Sequence, residues 1–435
     1  MSGSKQLVLE GSQTKDDGLT SPKPDESVDS SGKPLRIMLM IHSYWPEHSP
    51  PQRRWTTLIR EFRKANWDVE VVAPVAHFPV GRRTLPASKA GRPLRGQVGP
   101  LGERIKRAPY VPHSGHSHGA RLLDQLVSAA MSIPAGLMWR SADVIVVTAP
   151  SLPIMVSGYV VAKLRRVPLI VEMRDAWPDL ARDARIVKGN VKSLVERVVE
   201  AIQLRADMVV AVTEGFAETL RARGVKNVVT VSNGLDLNTV PVFAPPPVER
   251  PVFEALYLGN HGESQRLDVV IRASALVGDS MHLHMVGHGT QRPALMELAR
   301  ELNAPVTFHP SLHGEDVLER YEHADTCIVS LRDDWKSFEA TVPSKTYEVM
   351  SIGRHVTAIV RGEAARIVKD ADCGDVVAWK PEAVAELWCE LAADRSRLQT
   401  GTTGRDWVRK HANYPVLAKA YMENIAAVVS EKRRI

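Results

Sequence analysis

The segment of residues 341–353 carries the side chains best suited to chemistry in this chain. It reads Thr-Val-Pro-Ser-Lys-Thr-Tyr-Glu-Val-Met-Ser-Ile-Gly, with Ser344, Lys345 and Glu348 close together. Pro343 suits the first turn of a helix, and Gly353 suits its end. Residues three and four apart share one side of a helix, so a hydroxyl, a cation and a carboxylate can together hold a phosphate and a sugar hydroxyl. The alternative is a capped surface helix with a solvated Lys–Glu pair.

Glycine turns add to this picture of an anion site. Apolar runs at residues 326–331 and 355–360 flank the segment and predict strands, which places the helix N-terminus at the carboxyl edge of a parallel sheet. Two other predicted strands end in glycine turns, Gly259-Asn260-His261-Gly262 and Gly287-His288-Gly289. Glycine lets backbone N–H groups approach a ligand closely. The chain lacks both a full G-x-G-x-x-G fingerprint and a Walker A sequence, which disfavours nicotinamide dehydrogenases and P-loop enzymes.

The elements that position these residues form two similar halves. A chain of 435 residues is too long for one ordinary core. Residues 241–252 contain three consecutive prolines and predict an extended linker. Strands and helices alternate on both sides of it, which predicts an α/β protein with two doubly wound Rossmann-like domains facing across a cleft. The predicted strands lie at residues 35–41, 68–73, 143–148, 168–172, 207–212 and 227–231, and then at 253–258, 282–286, 306–309, 326–331 and 356–360.

The domain boundaries follow from these patterns. Residues 1–33 are polar and predict a disordered tail. We assign residues 34–240 to the first domain and 253–414 to the second, and we expect a helix within 415–435 to return to the first domain. Residues 77–120 are rich in Gly, Pro, Arg and His and predict long loops with little regular structure. The mostly apolar stretch 122–139 suits either a core helix or a half-buried helix at a membrane surface.

Composition limits the location and partners of the chain. The polar, acidic N-terminus predicts no signal peptide, and the absence of an apolar run of 18 residues predicts no spanning helix. Three cysteines without metal or redox spacing suggest the cytosol. Residues 34–121 hold 15 Lys and Arg against 5 Asp and Glu. This basic excess suits binding to an anionic membrane surface or to an anionic acceptor. The alternative is that the charges are scattered and solvated. No motif supports nucleic acid binding.

Together these motifs resemble those of the family 4 retaining glycosyltransferases, which have the two-domain GT-B fold. The resemblance covers residues 35 to about 425 and looks nearest to the aminosugar transferases of capsule and O-antigen synthesis. In the second half it rests on the two glycine turns, Gln265, Leu267-Asp268 and residues 341–348. In the first half it rests on Tyr44-Trp45-Pro46-Glu47, Arg174-Asp175-Ala176-Trp177-Pro178 and Ser232-Asn233-Gly234-Leu235-Asp236.

The resemblance implies roles on the donor side of the cleft. Glu348 would accept hydrogen bonds from the nucleotide ribose. Lys345 would neutralise the diphosphate, helped by Arg332 and by the helix N-terminus at Ser344. Gly287 and Gly289 would leave room for the base and ribose. The turn from Gly259 through Asn260, with Gln265, would lie beside the diphosphate.

The chain departs from the family pattern in four places. Most members have a Glu that touches the donor sugar eight residues before Glu348, where this chain has Ala340, with Glu339 one residue away. Asn260 and Gln265 replace an Arg and a Lys, as in the aminosugar branch. The glycine-rich first loop is replaced by His48-Ser49-Pro50-Pro51.

The implied activity is transfer of a sugar from a nucleotide to a lipid-linked or glycan hydroxyl with retention of configuration and without a metal or other cofactor. Candidates for acceptor contact and proton handling are Glu47, His48, Arg174 and Asp175. The Arg174–Asp175 pair has the alternative of a buried salt bridge that fixes a loop. Trp177 can stack on a sugar or pack in the core.

Other readings of the chain stay open at this stage. Ala340 favours a non-catalytic binding subunit of the same fold, and a sugar-nucleotide epimerase shares the two-domain architecture. His113, His116 and His118 lie in one loop, but without a nearby carboxylate or Cys we expect a solvated loop rather than a metal site. The preferred prediction is a cytoplasmic enzyme in peripheral contact with the anionic inner face of the cell membrane.

Overall fold

The computed structural model describes residues 34–114, 117–139, 142–149, 151–176, 179 and 190–434. The predicted tail and the Trp177-Pro178 pair lie outside these residues. The described residues form two α/β domains, each built on a parallel sheet with helices on both faces. The strands β5 and β6 of the first domain and β12 and β13 of the second, defined below, are buried at every position, as expected for a sheet covered on both sides.

The first domain has an eight-stranded sheet in the order β3-β4-β2-β1-β5-β6-β7-β8, with only β3 antiparallel to its neighbour. Its strands are β1 (Arg36–Met40), β2 (Asp68–Pro74), β3 (Gly96–Val98), β4 (Arg104–Ala108), β5 (Val144–Thr148), β6 (Leu169–Met173), β7 (Met208–Ala211) and β8 (Val228–Thr230). Its helices are α1 (Pro50–Lys64), α2 (Ala87–Ala90), α3 (His118–Leu137), α4 (Leu152–Arg165), α5 (Asn190–Arg205) and α6 (Glu214–Ala222).

The prediction of long loops with little regular structure over residues 77–120 missed two strands of the sheet. Strand β4 pairs in parallel with β2, and β3 pairs with β4 through residues Gly96 to Val98. The sequence Arg-Ile-Lys-Arg-Ala of β4 places basic residues between apolar ones, because this strand lies close to the edge of the sheet. Only its apolar positions and Arg107 are fully buried, so the strand lacks the continuous apolar run of the central strands.

The second domain has a six-stranded parallel sheet in the order β11-β10-β9-β12-β13-β14. Its strands are β9 (Phe253–Leu258), β10 (Met281–Val286), β11 (Val306–His309), β12 (Thr326–Ser330), β13 (His355–Ile359) and β14 (Gly374–Val376). Its helices are α7 (Asp268–Val277), α8 (Arg292–Glu301), α9 (Glu315–His323), α10 (Ser344–Ser351), α11 (Gly362–Asp370), α12 (Pro381–Ala393) and α13 (Thr403–His411). The strand order reverses at β9, which lies between β10 and β12, and ligands bind at such reversal points in open α/β sheets.

Residues 241–252 contain no helix or strand, and the second domain holds them by side chains. Arg354 donates to the carbonyl of Ala244 at 2.7 Å, and Arg395 donates to the carbonyl of Pro247 at 3.0 Å. These carbonyls have no strand partner to donate to them, and the two arginines supply the donors instead.

The final helix, α14 (Tyr414–Arg434), packs on the first domain. Tyr421 lies against Trp55 and Phe62 of α1, with ring centroids 5.9 and 6.0 Å apart. Near its end, Lys432 pairs with Asp207 at 2.9 Å, in the loop before β7. The chain therefore crosses between the domains twice.

Candidate active site

The N-terminus of α10 gathers three polar side chains at the carboxyl edge of the second sheet. Lys345 Nζ donates to both Glu348 carboxylate oxygens at 2.9 Å, and Tyr321 of α9 donates to Glu348 Oε1 at 3.0 Å. Lys345 and Glu348 are about one third exposed, with side-chain values of 34% and 28%. A cation, a carboxylate and a phenol thus lie within hydrogen-bond distance of each other beside a helix N-terminus.

The other two predicted donor-side residues of this edge differ in their surroundings. Ser344 is exposed and is the first residue of α10, whose N-cap is Pro343. Arg332 follows β12, but its guanidinium donates to Asp334 and to Glu263 and stacks on Trp335, 4.5 Å from the ring centroid. Hydrogen bonding to Asp334 raises the pKa of Arg332 despite some burial. A phosphate at Arg332 would therefore compete with two carboxylates.

The glycine turns after β9 and β10 pack on one another. A Cβ on Gly287 would lie 2.0 Å from the Gly259 carbonyl oxygen, and one on Gly289 would lie 2.2 Å from that of His261. His261 N donates to His288 O at 2.8 Å. Both glycines are therefore required by the contact between the turns, which is a different reason from the room for base and ribose that the resemblance implies.

Asn260 and Gln265 belong to the same turn. Gln265 Oε1 accepts from Gly262 N at 3.2 Å and from Asn260 Nδ2 at 3.4 Å. Ser330, at the end of β12, donates to the Gln265 carbonyl at 2.8 Å. Asn260 and Gln265, at the positions where the resemblance implies an Arg and a Lys, therefore stabilise the turn.

Glu47 and His48 follow β1 in the first domain and have contrasting environments. Glu47 is buried, accepts from the backbone N–H groups of His77 and Phe78 at 2.6 and 2.9 Å, and accepts from Ser43 at 2.6 Å. These bonds tie the loop after β1 to the loop after β2. His48 is exposed and lies next to Ser49, the N-cap of α1.

Arg174 and Asp175 follow β6 at the carboxyl edge of the first sheet. Burial lowers the pKa of Arg174 and raises the pKa of Asp175, and their mutual attraction only partly opposes this. The Nε and Nη1 atoms of Arg174 are buried, and neither has a hydrogen-bond partner among the residues that the structure describes. A buried guanidinium with two such donors is suited to bind an anion.

A buried ion pair supports this edge from behind. Glu172, in β6, accepts from Arg54 Nε at 2.8 Å and from Trp55 Nε1 at 2.7 Å. Arg54 also donates to the Val231 carbonyl at 2.9 Å, which follows β8. These bonds fix α1 against the sheet next to Arg174.

A cluster of histidines and a carboxylate was not anticipated from the sequence. His42 follows β1, His77 follows β2, and Asp124 lies in α3; His77 Nε2 is 2.9 Å from Asp124 Oδ2. His113 lies 3.8 Å from the same oxygen, so the expectation that no carboxylate lies near this histidine was wrong. Residue 116 lies outside the described residues, and the side chain of His118 is not described. Asp124 stands out in the sequence as a charge near the start of an apolar stretch, which was the available signal.

Titration of the cluster follows its burial. Burial, and then His77, lower the pKa of His42 to about 4. Burial also opposes the charged form of His77, but hydrogen bonds to Asp124 and to the Val75 carbonyl outweigh it and raise the pKa of His77. His42 is therefore a neutral imidazole at neutral pH.

The two domains meet at the N-terminus of α6. Glu363 of α11 accepts from Glu214 N at 3.0 Å and from Gly215 N at 2.7 Å. Thr213 donates to the Ala340 carbonyl at 2.6 Å. A cavity of about 790 Å³ opens beside this contact and is lined by residues of both domains, including Ala176, Glu339 and Ala340. Lys345 and Glu348 do not line it.

Two α/β domains, each built on a parallel sheet and facing each other across a cleft, define the GT-B class. The structure is similar to a sucrose-phosphate synthase from Thermosynechococcus elongatus, with a TM-score of 0.66 and 18% identity, covering 90% of this chain and 100% of that one. It is also similar to HepE of Anabaena in complex with UDP (0.65, 13%, 90% and 100%) and to the lipopolysaccharide outer core galactosyltransferase WaaB (0.61, 15%, 92% and 100%). These likenesses confirm the predicted fold class.

Family models match both domains of the chain. Residues 51–234 match the glycosyl transferase 4-like domain, and residues 253–394 match the glycosyl transferases group 1. The chain is therefore a glycosyltransferase with the GT-B fold. None of the curated proteins compared with the chain matches it.

Proposed function

We propose that this glycosyltransferase moves a sugar from a nucleoside diphosphate to a hydroxyl with retention of configuration. The observation that carries the proposal is the group of Lys345, Glu348 and Tyr321 at the N-terminus of α10. A carboxylate there suits a ribose diol, and a lysine with helix N–H groups suits a diphosphate. Structures of the similar protein HepE contain UDP and UDP-glucose, so UDP-sugars are the first donors to test.

The leaving diphosphate would be stabilised by cations of the chain rather than by a divalent ion. Lys345 is adjacent to the α10 N-terminus, and Arg332 would join it by releasing Asp334 or Glu263. Arg174 has two buried donors that face no described partner, and we assign it to an anionic group of the donor or acceptor. Asp175 and His48 complete the acceptor-side candidates at the carboxyl edge, whereas Glu47 would act by fixing the loop around them.

We further propose that the acceptor is a lipid-linked or glycan hydroxyl used in cell-surface polysaccharide synthesis at the cytoplasmic face of a membrane. Helix α3 exposes Leu122, Leu123 and Leu126 at 55%, 52% and 51%, next to the exposed Arg121. No helix in the described part of the chain is long and apolar enough to cross a bilayer. An exposed apolar row beside cations suits peripheral contact with anionic lipid.

The first experiment is thermal unfolding with UDP, GDP, ADP and TDP, each with and without added Mg²⁺. Ligand at 100 times its Kd should stabilise the protein by about 2.7 kcal/mol. One base that stabilises equally in both conditions supports the metal-free donor site. The matching nucleotide-sugar is then incubated with a polyprenyl-linked saccharide acceptor, and NMR of the product reads its anomeric configuration. Inversion at the anomeric carbon would overturn the assignment of a retaining enzyme.

The same assay decides between this proposal and a non-catalytic binding subunit. That candidate is favoured by Ala340, which lies in the contact between the domains at the position where the family resemblance implies a Glu. Nucleotide binding without transfer to any acceptor would support the binding subunit. Conversion of the donor alone to another sugar-nucleotide would identify an epimerase.

Membrane contact is tested by flotation with vesicles containing anionic lipid and with neutral vesicles. The full chain should float only with anionic vesicles, and replacing Leu122, Leu123 and Leu126 by Ser should abolish flotation. Leu276→Ser is the control, because this leucine is 59% exposed in the second domain. Equal recovery of the unchanged protein in the soluble fraction with both lipids would overturn the membrane proposal.

A further inference from the structure

The histidine cluster of the first domain lies where two neighbouring strands end. His42 follows β1 and His77 follows β2, and these strands pair in parallel, so both residues reach the same edge of the sheet. Asp124 approaches from α3 and is 2% exposed. One ligand atom from each of the three side chains lies within 4.8 Å of the other two.

Hydrogen bonds around the cluster fix its orientation. His77 Nδ1 lies 2.7 Å from the Val75 carbonyl, which can only accept, so Nδ1 carries a proton. The other nitrogen, Nε2, therefore directs either a proton or a lone pair at the Asp124 carboxylate, 2.9 Å away. Two lone pairs at that distance repel, so a positive species belongs between them: a second proton on His77 or a bound cation.

The second oxygen of Asp124 is held separately. Asp124 Oδ1 accepts from Val111 N at 2.9 Å. Ser128 Oγ lies 3.1 Å from the same oxygen and shares its single proton between it and the nearer Asp124 carbonyl. Metal ligands are usually oriented by outer contacts. The second ring nitrogen of a histidine ligand donates to a backbone carbonyl, and the free oxygen of a carboxylate ligand accepts hydrogen bonds. In this cluster both are present, and they leave His77 Nε2 and Asp124 Oδ2 directed at one point.

We propose that His42, His77 and Asp124 bind one divalent transition-metal ion of the zinc type. Two imidazole nitrogens and one carboxylate oxygen are a ligand set of zinc sites with one further open position, and they disfavour Mg²⁺, which prefers oxygen. Zn–N and Zn–O bonds of about 2.0–2.2 Å place tetrahedral ligand atoms roughly 3.4 Å apart. His77 and Asp124 therefore separate slightly on binding, and the His42 nitrogen, within 4.8 Å of both, completes the set.

The fourth position has two occupants within reach of the same atoms. His113 Nε2 lies 3.8 Å from Asp124 Oδ2, so a small shift would make it a ligand. A water or an acceptor hydroxyl is the other occupant. All these residues belong to the first domain, so the ion is separate from the donor group at Lys345 and Glu348. It would fasten the loops after β1 and β2 to α3 at the acceptor edge.

The test uses the untagged full chain, freed of metal by a chelator and then titrated with Co²⁺. We expect one Co²⁺ per chain, with the intense visible absorption of a tetrahedral site, and displacement by Zn²⁺. His77→Gln and Asp124→Asn should each abolish this absorption. Ser128→Ala keeps all ligands and removes an outer contact, so it should weaken binding about 10- to 100-fold; it is also the variant to rely on if the others fail to fold.

His284→Gln is the matched control. His284 Nε2 lies 3.0 Å from Glu254 Oε2, so it has the same pairing of imidazole and carboxylate in the second domain. This variant should bind Co²⁺ like the unchanged chain. Two results would overturn the proposal: no stoichiometric Co²⁺ binding by the unchanged, folded chain, which makes His77 and Asp124 a metal-free ion pair, or unchanged binding by both His77→Gln and Asp124→Asn.

Discussion

Replacing Glu348 by Gln tests its predicted hydrogen bonds to the nucleotide ribose with little effect on the free energy of unfolding. In the unliganded protein Glu348 is partly exposed and pairs with Lys345 three residues earlier, so we expect a small change of stability, within about 0.5 kcal/mol. In the complex two ribose hydroxyls would donate to the carboxylate. Hydrogen bonds to a charged group contribute about 1.5–3 kcal/mol, and those to a neutral group about 0.5–1.5 kcal/mol, so two bonds lose roughly 2 kcal/mol together.

The loss corresponds to a nucleoside diphosphate Kd about 30-fold higher, because each 1.4 kcal/mol is tenfold. Isothermal titration calorimetry with the nucleotide identified by thermal unfolding measures this value. Glu386→Gln is the control, since Glu386 is exposed on α12. A Glu348→Gln protein that binds the nucleotide as tightly as the control would refute the ribose contact. A protein that is strongly destabilised without ligand would instead show that the carboxylate holds the fold.

Three further perturbations test other parts of the structure. Glu363→Ala removes the carboxylate that accepts two amide N–H bonds from the first domain. An arrangement with the two domains apart should become more favourable by about 1–2 kcal/mol, relative to the arrangement with the domains in contact. Small-angle scattering should then show a larger radius of gyration. An unchanged radius would contradict this. Arg54→Met leaves Glu172 buried without its cationic partner and should destabilise by about 3–5 kcal/mol in urea unfolding, whereas the exposed Arg53→Met should change little; equal effects would argue against the ion pair. Burial raises the pKa of Glu70 to about 7, although Arg104 opposes this. Its folded pKa exceeds the unfolded value of 4.5, so the unchanged protein loses stability as pH rises from about 4.5 to 7. Glu70→Gln should therefore raise Tm at pH about 8 by an amount equivalent to roughly 3 kcal/mol, with little effect at pH about 4.5; equal shifts at both pH values would contradict the assignment.

The fold was predictable because the central strands carry an uninterrupted signal. Strands such as β5, with the sequence Val-Ile-Val-Val-Thr, are apolar on both faces, and only a sheet covered on both sides buries them. Strand β4 lacks this signal because its place near the sheet edge allows Arg104 and Lys106 to reach solvent. Pairing with a remote strand, rather than local composition, gives it extended structure.

Contacts within the candidate site were predictable only between residues that are close in sequence. Lys345 and Glu348 are three apart on one helix, so their contact follows from helix geometry. Tyr321, which bonds to both, lies on another helix and reaches them through the tertiary fold. Arg332 was expected to face a phosphate. It bonds instead to Asp334, two residues later, and to Glu263, whose position depends on how the turn after β9 packs.

The second crossing of the chain between the domains has a consequence for synthesis on the ribosome. The second domain's sheet is built from a continuous stretch, from β9 to β14, and can assemble as soon as that stretch has emerged. The first domain, although translated earlier, leaves Trp55 and Phe62 uncovered until α14 arrives with Tyr421. Domains generally fold in the order of their synthesis, and exposed apolar surface in a partly folded chain promotes aggregation. In this protein the α1 face of the first domain therefore stays without its Tyr421 contact for as long as the second domain is being translated.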